Sequence, residues 1–168
     1  MVLRYLAIEI DLRPAGNFIH NITLTNPEES NGAVLYYLAI GNPADDRLRT
    51  RLLLISHLLK DPTFSVLRTK EQLGYIVHST IWSGSSALGF VICIQSEHHP
   101  TYVEKRIETF LESHRSEIAG MNTEEFEKQR KGLVDTRRQR SENLSQELSQ
   151  FWYHIQSDEQ DFTQREPF

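Results

Sequence analysis

Pro62-Thr63-Phe64-Ser65-Val66-Leu67-Arg68-Thr69-Lys70-Glu71-Gln72-Leu73-Gly74-Tyr75-Ile76-Val77 takes the chain around a corner. A short helix is expected over Thr63 to Glu71, with Arg68, Lys70 and Glu71 closing it. Gly74 breaks the helix and frees the backbone to turn, and Tyr75 opens a strand. Neither element alone dictates side-chain direction at such a junction, so Arg68 and Tyr75 can be aimed at one space. On these residues alone the other reading, a surface arginine near a packed tyrosine, stays open. Lys70 and Glu71 read as a local surface pair or as contacts to another domain.

Upstream, a strand is expected over Ala33 to Ile40, ending at Gly41. Asn42 then reads as a helix N-cap, with Pro43 at the first helical position and Asp45 and Asp46 near the positive helix end. Leu48, Leu52, Ile55 and Leu59 recur at helical period, and the helix should end near Lys60-Asp61-Pro62. Before Asn31, two strands are possible, Tyr5 to Leu12 and Phe18 to Leu24, separated by a turn at Pro14 and Gly16.

Downstream, strands over Tyr75 to Trp82 and Ala87 to Gln95 are joined by Ser83-Gly84-Ser85-Ser86. That link is too short for a parallel crossover, so the pair is antiparallel. Their apolar content on both faces predicts a central position. From Pro100 the period turns helical, with Val103, Ile107, Phe110, Leu111, His114 and Ile118 on one face. Asn122 with Glu125, and Asn143 with Gln146, read as caps of two more helices. Phe126, Leu133 and Val134 mark the first of these, and Leu144, Leu148, Phe151, Trp152 and Ile155 the second. This order predicts an α+β domain in which a sheet containing antiparallel strands packs against helices.

A chain of 168 residues fits a single domain able to fill its own core. Its lone cysteine, Cys93, sits in an apolar run and suits a buried thiol in a reducing compartment. The first residues carry acids too early for a signal peptide, and no apolar run is long enough for a membrane span. The expectation is a soluble, cytoplasmic protein without membrane contact. A formal charge of -5 argues against nucleic acid as a partner.

Neither His-Glu-x-x-His nor His-x-x-Glu-His occurs in the chain. His114-Arg115-Ser116-Glu117-Ile118 lacks a second histidine, and His114 lies on the apolar stripe, which marks a boundary histidine rather than a zinc ligand. His98 and His99 beside Glu97 read as a solvated turn, while His20, His57, His78 and His154 are isolated. The serines of the Ser83 to Ser86 link lie in a hairpin rather than a nucleophile elbow. Glycine-rich phosphate cradles are missing as well. Lys128, Arg130, Lys131, Arg137, Arg138 and Arg140 are interleaved with Glu124, Glu125, Glu127 and Asp135, which describes a solvated helix face. No metal site and no complete catalytic set are expected from these residues alone.

The run from Pro62 to Val77 resembles the fourth, C-terminal domain of the insulin-degrading-enzyme family of pitrilysin-type zinc metallopeptidases, pheromone-processing fungal relatives included. The likeness extends over Asn31 to Leu59, Ile94-Gln95-Ser96-Glu97, Tyr102 to Leu111 and Met121 to Phe126, and fades before residue 18 and beyond about Tyr153. In that family four α+β domains form two halves around a closed chamber. The N-terminal half binds zinc, and the C-terminal half lends an arginine and a tyrosine to the bound peptide.

The resemblance therefore implies a peptide-binding, zinc-free piece of a metalloendopeptidase, inactive alone, with residues 1–17 as a linker or extra strand. Zinc would belong to the parent enzyme. Arg68 and Tyr75 would bind substrate, and the Tyr75 hydroxyl would donate to the transition-state oxyanion. Expected partners are the zinc-bearing N-terminal half and peptides. The C-terminal domain of that family also continues with another helix and strand, so an edge left uncovered here could drive self-association. A stand-alone scaffold or interaction domain is the other reading.

Overall fold

Strand β1, Gly32–Gly41, alternates Val34, Tyr36 and Leu38 on one face with Ala33, Leu35 and Tyr37 on the other. In the computed structural model the described residues are 16, 18–23, 25, 26, 28–84, 87–139, 141 and 143–156. Strand β2 is Ile76–Ser83 and strand β3 is Leu88–Ser96. Both neighbours pair antiparallel to β3, giving the order β1-β3-β2. Residues 88 to 92 of β3 are all buried, as expected for a strand flanked on both sides. The central position expected for both hairpin strands therefore holds for β3 only. Strand β2 lies at a sheet edge among the described residues, and its outward positions, Ile76, His78, Thr80 and Trp82, are exposed.

Helix α1, Asp46–Pro62, lies over β2, and helix α2, Pro100–Ala119, lies over β1. Both cover the sheet face that carries Val77, Phe90, Ile92 and Ile94. Leu52 and Leu59 of α1 and Val103, Ile107 and Phe110 of α2 complete one buried cluster with Leu67, Leu73 and Leu88. Burial of each such side chain contributes about 1.5–3 kcal/mol, so this α+β layer carries most of the stability. Helix α3, Thr123–Arg138, packs on α1, with Gly132 beside the His57 ring. Helix α4, Leu144–Gln156, follows, and Leu144, Leu148, Phe151, Trp152 and Ile155 stay exposed on it.

Several local expectations are corrected. The cap of α1 is Asp45, whose carboxylate accepts from the amides of Arg47 and Leu48, while Asn42 accepts from Ala44 in the preceding turn. Pro43 is buried ahead of the helix instead of opening it. Ile55 lies off the buried stripe, which Leu52 and Leu59 define. Helix α1 does end at Pro62, as expected, but the chain does not break there. The chain runs on into a π-helical segment, Thr63–Lys70. Proline lacks the amide needed for the bond four residues back. The Thr63 amide is shared between the Leu59 and Lys60 carbonyls, and its buried hydroxyl donates to Leu59 at 2.7 Å. Beyond it the turns take the wider π form, and the chain stays helical past the proline.

The caps proposed for the later helices are present. Asn122 accepts from the Glu125 amide at 2.9 Å, and Asn143 from the Gln146 amide at 2.9 Å. The possible strand at Tyr5 to Leu12 lies outside the described residues. Residues 18–23 form no strand.

Candidate functional site

The π-helical segment and β2 meet at residues 71–75, and the geometry of this corner decides where Arg68 and Tyr75 point. The Glu71 amide donates to Val66 at 2.9 Å and the Leu73 amide to Leu67 at 3.0 Å, closing the helix end. Gln72 takes the left-handed conformation, φ 53, which reverses the chain. Gly74 serves a different purpose from the expected one: a Cβ there would lie 1.7 Å from the Gln95 carbonyl oxygen. Its missing side chain lets the corner lie flat against β3. Leu73 plugs the core beneath it.

Two side chains from other elements tether the corner. Ser96, at the end of β3, is buried; its hydroxyl donates to the Leu73 carbonyl and accepts from the His98 amide at 3.0 Å. Arg106, on α2, grips the Glu71 carboxylate with two parallel bonds of 2.8 and 2.7 Å. Those hydrogen bonds, and next the negative charge of Glu71, hold the Arg106 guanidinium above its ordinary pKa. Glu71 thus binds within its own domain, correcting the reading of it as half of a local surface pair or as a contact to another domain.

Arg68 and Tyr75 are brought together. Arg68 Nε donates to the Tyr75 carbonyl at 3.0 Å. The guanidinium lies 4.8 Å from the centre of the Phe64 ring and 5.4 Å from that of Tyr75. It is thus held between two aromatic rings by cation–π attraction and a main-chain bond. Tyr75 precedes β2 instead of opening it, and its side chain is 82% exposed, which excludes the packed-tyrosine reading. A half-buried, oriented arginine beside an exposed phenol can present donors to a ligand at the surface.

Phe64, Ser96 and Arg106 were not singled out as site residues in the sequence. Phe64 had a legible signal, since it stands four residues before Arg68 on a helix, where side chains meet. Arg106 and Ser96 had none, because they reach the corner only through the fold.

Among the described residues the histidines form no competing centre. His114 lies 4.2 Å ring to ring from Phe110, with Nδ1 2.9 Å from the Phe110 carbonyl, in keeping with a boundary residue. His99 caps α2 by accepting from the Thr101 amide at 3.3 Å. Among the described residues no three His, Cys, Asp or Glu side chains are grouped to hold a metal ion, so zinc does not fit this donor set.

Residues 54–152, more than half of the chain, match the family model described as PQQ synthase PqqF-like, C-terminal lobe domain 4. The chain belongs to this family. The chain is 38% identical over 151 residues to the candidate zinc protease mug138 of Schizosaccharomyces pombe, covering 90% of this chain and 16% of that protein. It is 39% identical over 113 residues to the insulin-degrading enzyme of Drosophila melanogaster, covering 63% of this chain and 11% of that enzyme.

The crystal structure of pitrilysin shares the fold of this chain, with a TM-score of 0.62 at 22% identity over 82% of this chain and 15% of pitrilysin. These relatives place the chain among the C-terminal domains of insulin-degrading-enzyme and pitrilysin-type metallopeptidases. The chain spans only 11–16% of the length of the proteins it matches. No helix among the described residues is long and apolar enough to cross a membrane.

Proposed function

We propose that this chain is the substrate-facing, zinc-free part of a zinc metalloendopeptidase that degrades or processes peptides. The observation that carries the reading is the convergence of Arg68 and Tyr75 at the surface: the arginine is anchored through Nε, and the phenol is left exposed. The terminal guanidinium nitrogens would donate to backbone carbonyls of an extended peptide, which suits recognition that ignores side-chain identity. The Tyr75 hydroxyl would donate to the carbonyl oxygen as it gains negative charge. Zinc and the attacking water are assigned to another segment of the parent, its N-terminal half, because no donor set for a metal exists among the described residues.

The reading carries a cytoplasmic setting, in keeping with a single free cysteine. It assigns no role to nucleic acid or a membrane. The exposed apolar side chains of α4 support self-association of the isolated chain.

The deciding experiment is peptide hydrolysis with zinc by this chain alone and after addition of a separately made zinc-bearing N-terminal half. Activity is expected only in the mixture, and it should fall when Tyr75 is replaced by phenylalanine. A mixture that binds but cleaves equally well with Tyr75→Phe would support the scaffold reading instead.

A further inference from the structure

Residues 71–75 set the direction of both Arg68 and Tyr75, and α2 reaches them through one side chain. We propose that Arg106 is a positioning residue for the Arg68–Tyr75 pair, acting through its paired hydrogen bonds to Glu71. This rests on the peptidase reading above, since the pair must contact substrate for its position to matter.

Glu71 caps the C-terminal end of the helical run, where unsatisfied carbonyls carry negative partial charge. A carboxylate is disfavoured at that end of a helix. Left to itself, Glu71 would swing into solvent. The Arg106 fork, 35 residues along the chain, holds it with two bonds at once, which fixes the plane of the carboxylate as well as its distance.

Arg68 stands one helical turn before Glu71, and Tyr75 follows across the left-handed Gln72. Rotation of Glu71 therefore moves both. The second tether, from Ser96, holds the Leu73 carbonyl two residues further on and not the Glu71 carboxylate. The side chains of Arg106 and Glu71 are 34% and 20% exposed, so water screens the pair. Its contribution to folding is small, the core at Leu67 and Leu73 being independent of it. Its effect on the orientation of the corner is direct.

The test is a double-mutant cycle in the full-length parent enzyme, reading peptide kcat/KM and Tm. Arg106→Met is expected to lower kcat/KM about tenfold to a hundredfold, the scale of a small misplacement of catalytic groups, with little change in Tm. In a Tyr75→Phe background the same substitution should cost less than about twofold, because an aligned hydroxyl is no longer there to lose. The charge-swapped pair Glu71→Arg with Arg106→Glu should recover part of the single-variant loss.

Full additivity of Arg106→Met and Tyr75→Phe would overturn the positioning role, and so would unchanged kcat/KM in Arg106→Met while Tyr75→Phe remains impaired. In both cases the peptidase reading survives. Unchanged kcat/KM in Tyr75→Phe itself would remove that reading and this inference with it. If Arg106→Met gives no folded enzyme, Glu71→Gln takes its place in the cycle with the same expectations.

Discussion

Arg68 spends its Nε on the main-chain carbonyl of Tyr75, at 3.0 Å, and lays its guanidinium 5.4 Å from the same residue's ring. The bond runs from the helix end to the residue before β2, so it closes the corner that Leu73 and Gly74 shape from within. Each partner thereby fixes the other: the arginine is oriented by the carbonyl, and the tyrosine backbone is pinned by the arginine.

Tyr75→Phe isolates the hydroxyl. The side chain is 82% exposed, so its O–H stabilises no buried structure and Tm should stay at the wild-type value. In the intact parent enzyme, loss of one donor aimed at a developing oxyanion costs about 2.7–4 kcal/mol, a fall of roughly a hundred- to a thousandfold in kcat. Steady-state kinetics on a peptide substrate checks this, and turnover equal to wild type would remove Tyr75 from the chemistry.

Gly74→Ala should be the most damaging small substitution in the corner. The added methyl would meet the Gln95 carbonyl at 1.7 Å and its carbon at 2.8 Å, both backbone atoms of the central strand. Neither can move without disturbing β3, so about 2–3 kcal/mol of destabilisation is expected, the upper range of overpacking. Gly89→Ala provides the contrast. There the new methyl meets the ring of Tyr37, at 2.2 Å from Cε2, and a side chain can swing aside. Urea denaturation should rank Gly74→Ala well below Gly89→Ala, and equal midpoints would refute the backbone-clash account.

The same corner shows what the sequence made legible. Hydrophobic period identified β1, the α1 and α2 stripes, the antiparallel hairpin and the layer they form, because periodicity reports which face meets the core. Gly74 was visible as a special position, but its reason was not. A glycine needed for close approach looks the same in sequence as one needed for positive φ, and here Gln72 takes the positive φ at 53. Pro62 marked the end of α1, but no local pattern showed that the short helix after it takes the wider π form. Arg68 and Tyr75 were found through a family likeness. Their Glu71, Arg106 and Ser96 supports depend on three elements meeting in space, which no local pattern encodes.

Gln72→Gly is expected to stabilise the chain. The left-handed conformation costs a residue with a Cβ about 1–2 kcal/mol, and glycine adopts it freely. Glycine also loses more backbone entropy on folding, about 0.5–1 kcal/mol, which leaves a net gain of about 0.5–1 kcal/mol. Because Gln72 is exposed, little packing is lost in exchange. A rise in the urea midpoint at unchanged slope is the expected readout, and a fall would show that its side chain has a structural contact of its own.

Stability should also fall at alkaline pH through β1. Burial first, then the negative charges of Glu108 and Glu104 on α2, hold the Tyr36 hydroxyl above its ordinary pKa, and burial alone does so for Tyr37. A phenol whose pKa is raised by folding binds its proton more tightly in the folded state. Its stabilising contribution is complete below the unfolded value of about 10 and is lost as pH rises through the folded value. The unfolding free energy should therefore decline from about pH 9 to about pH 11. Tyr36→Phe removes one of these protons from the balance, so its decline over the same range should be shallower than that of wild type. Parallel curves for the two proteins would assign the alkaline loss to groups other than Tyr36.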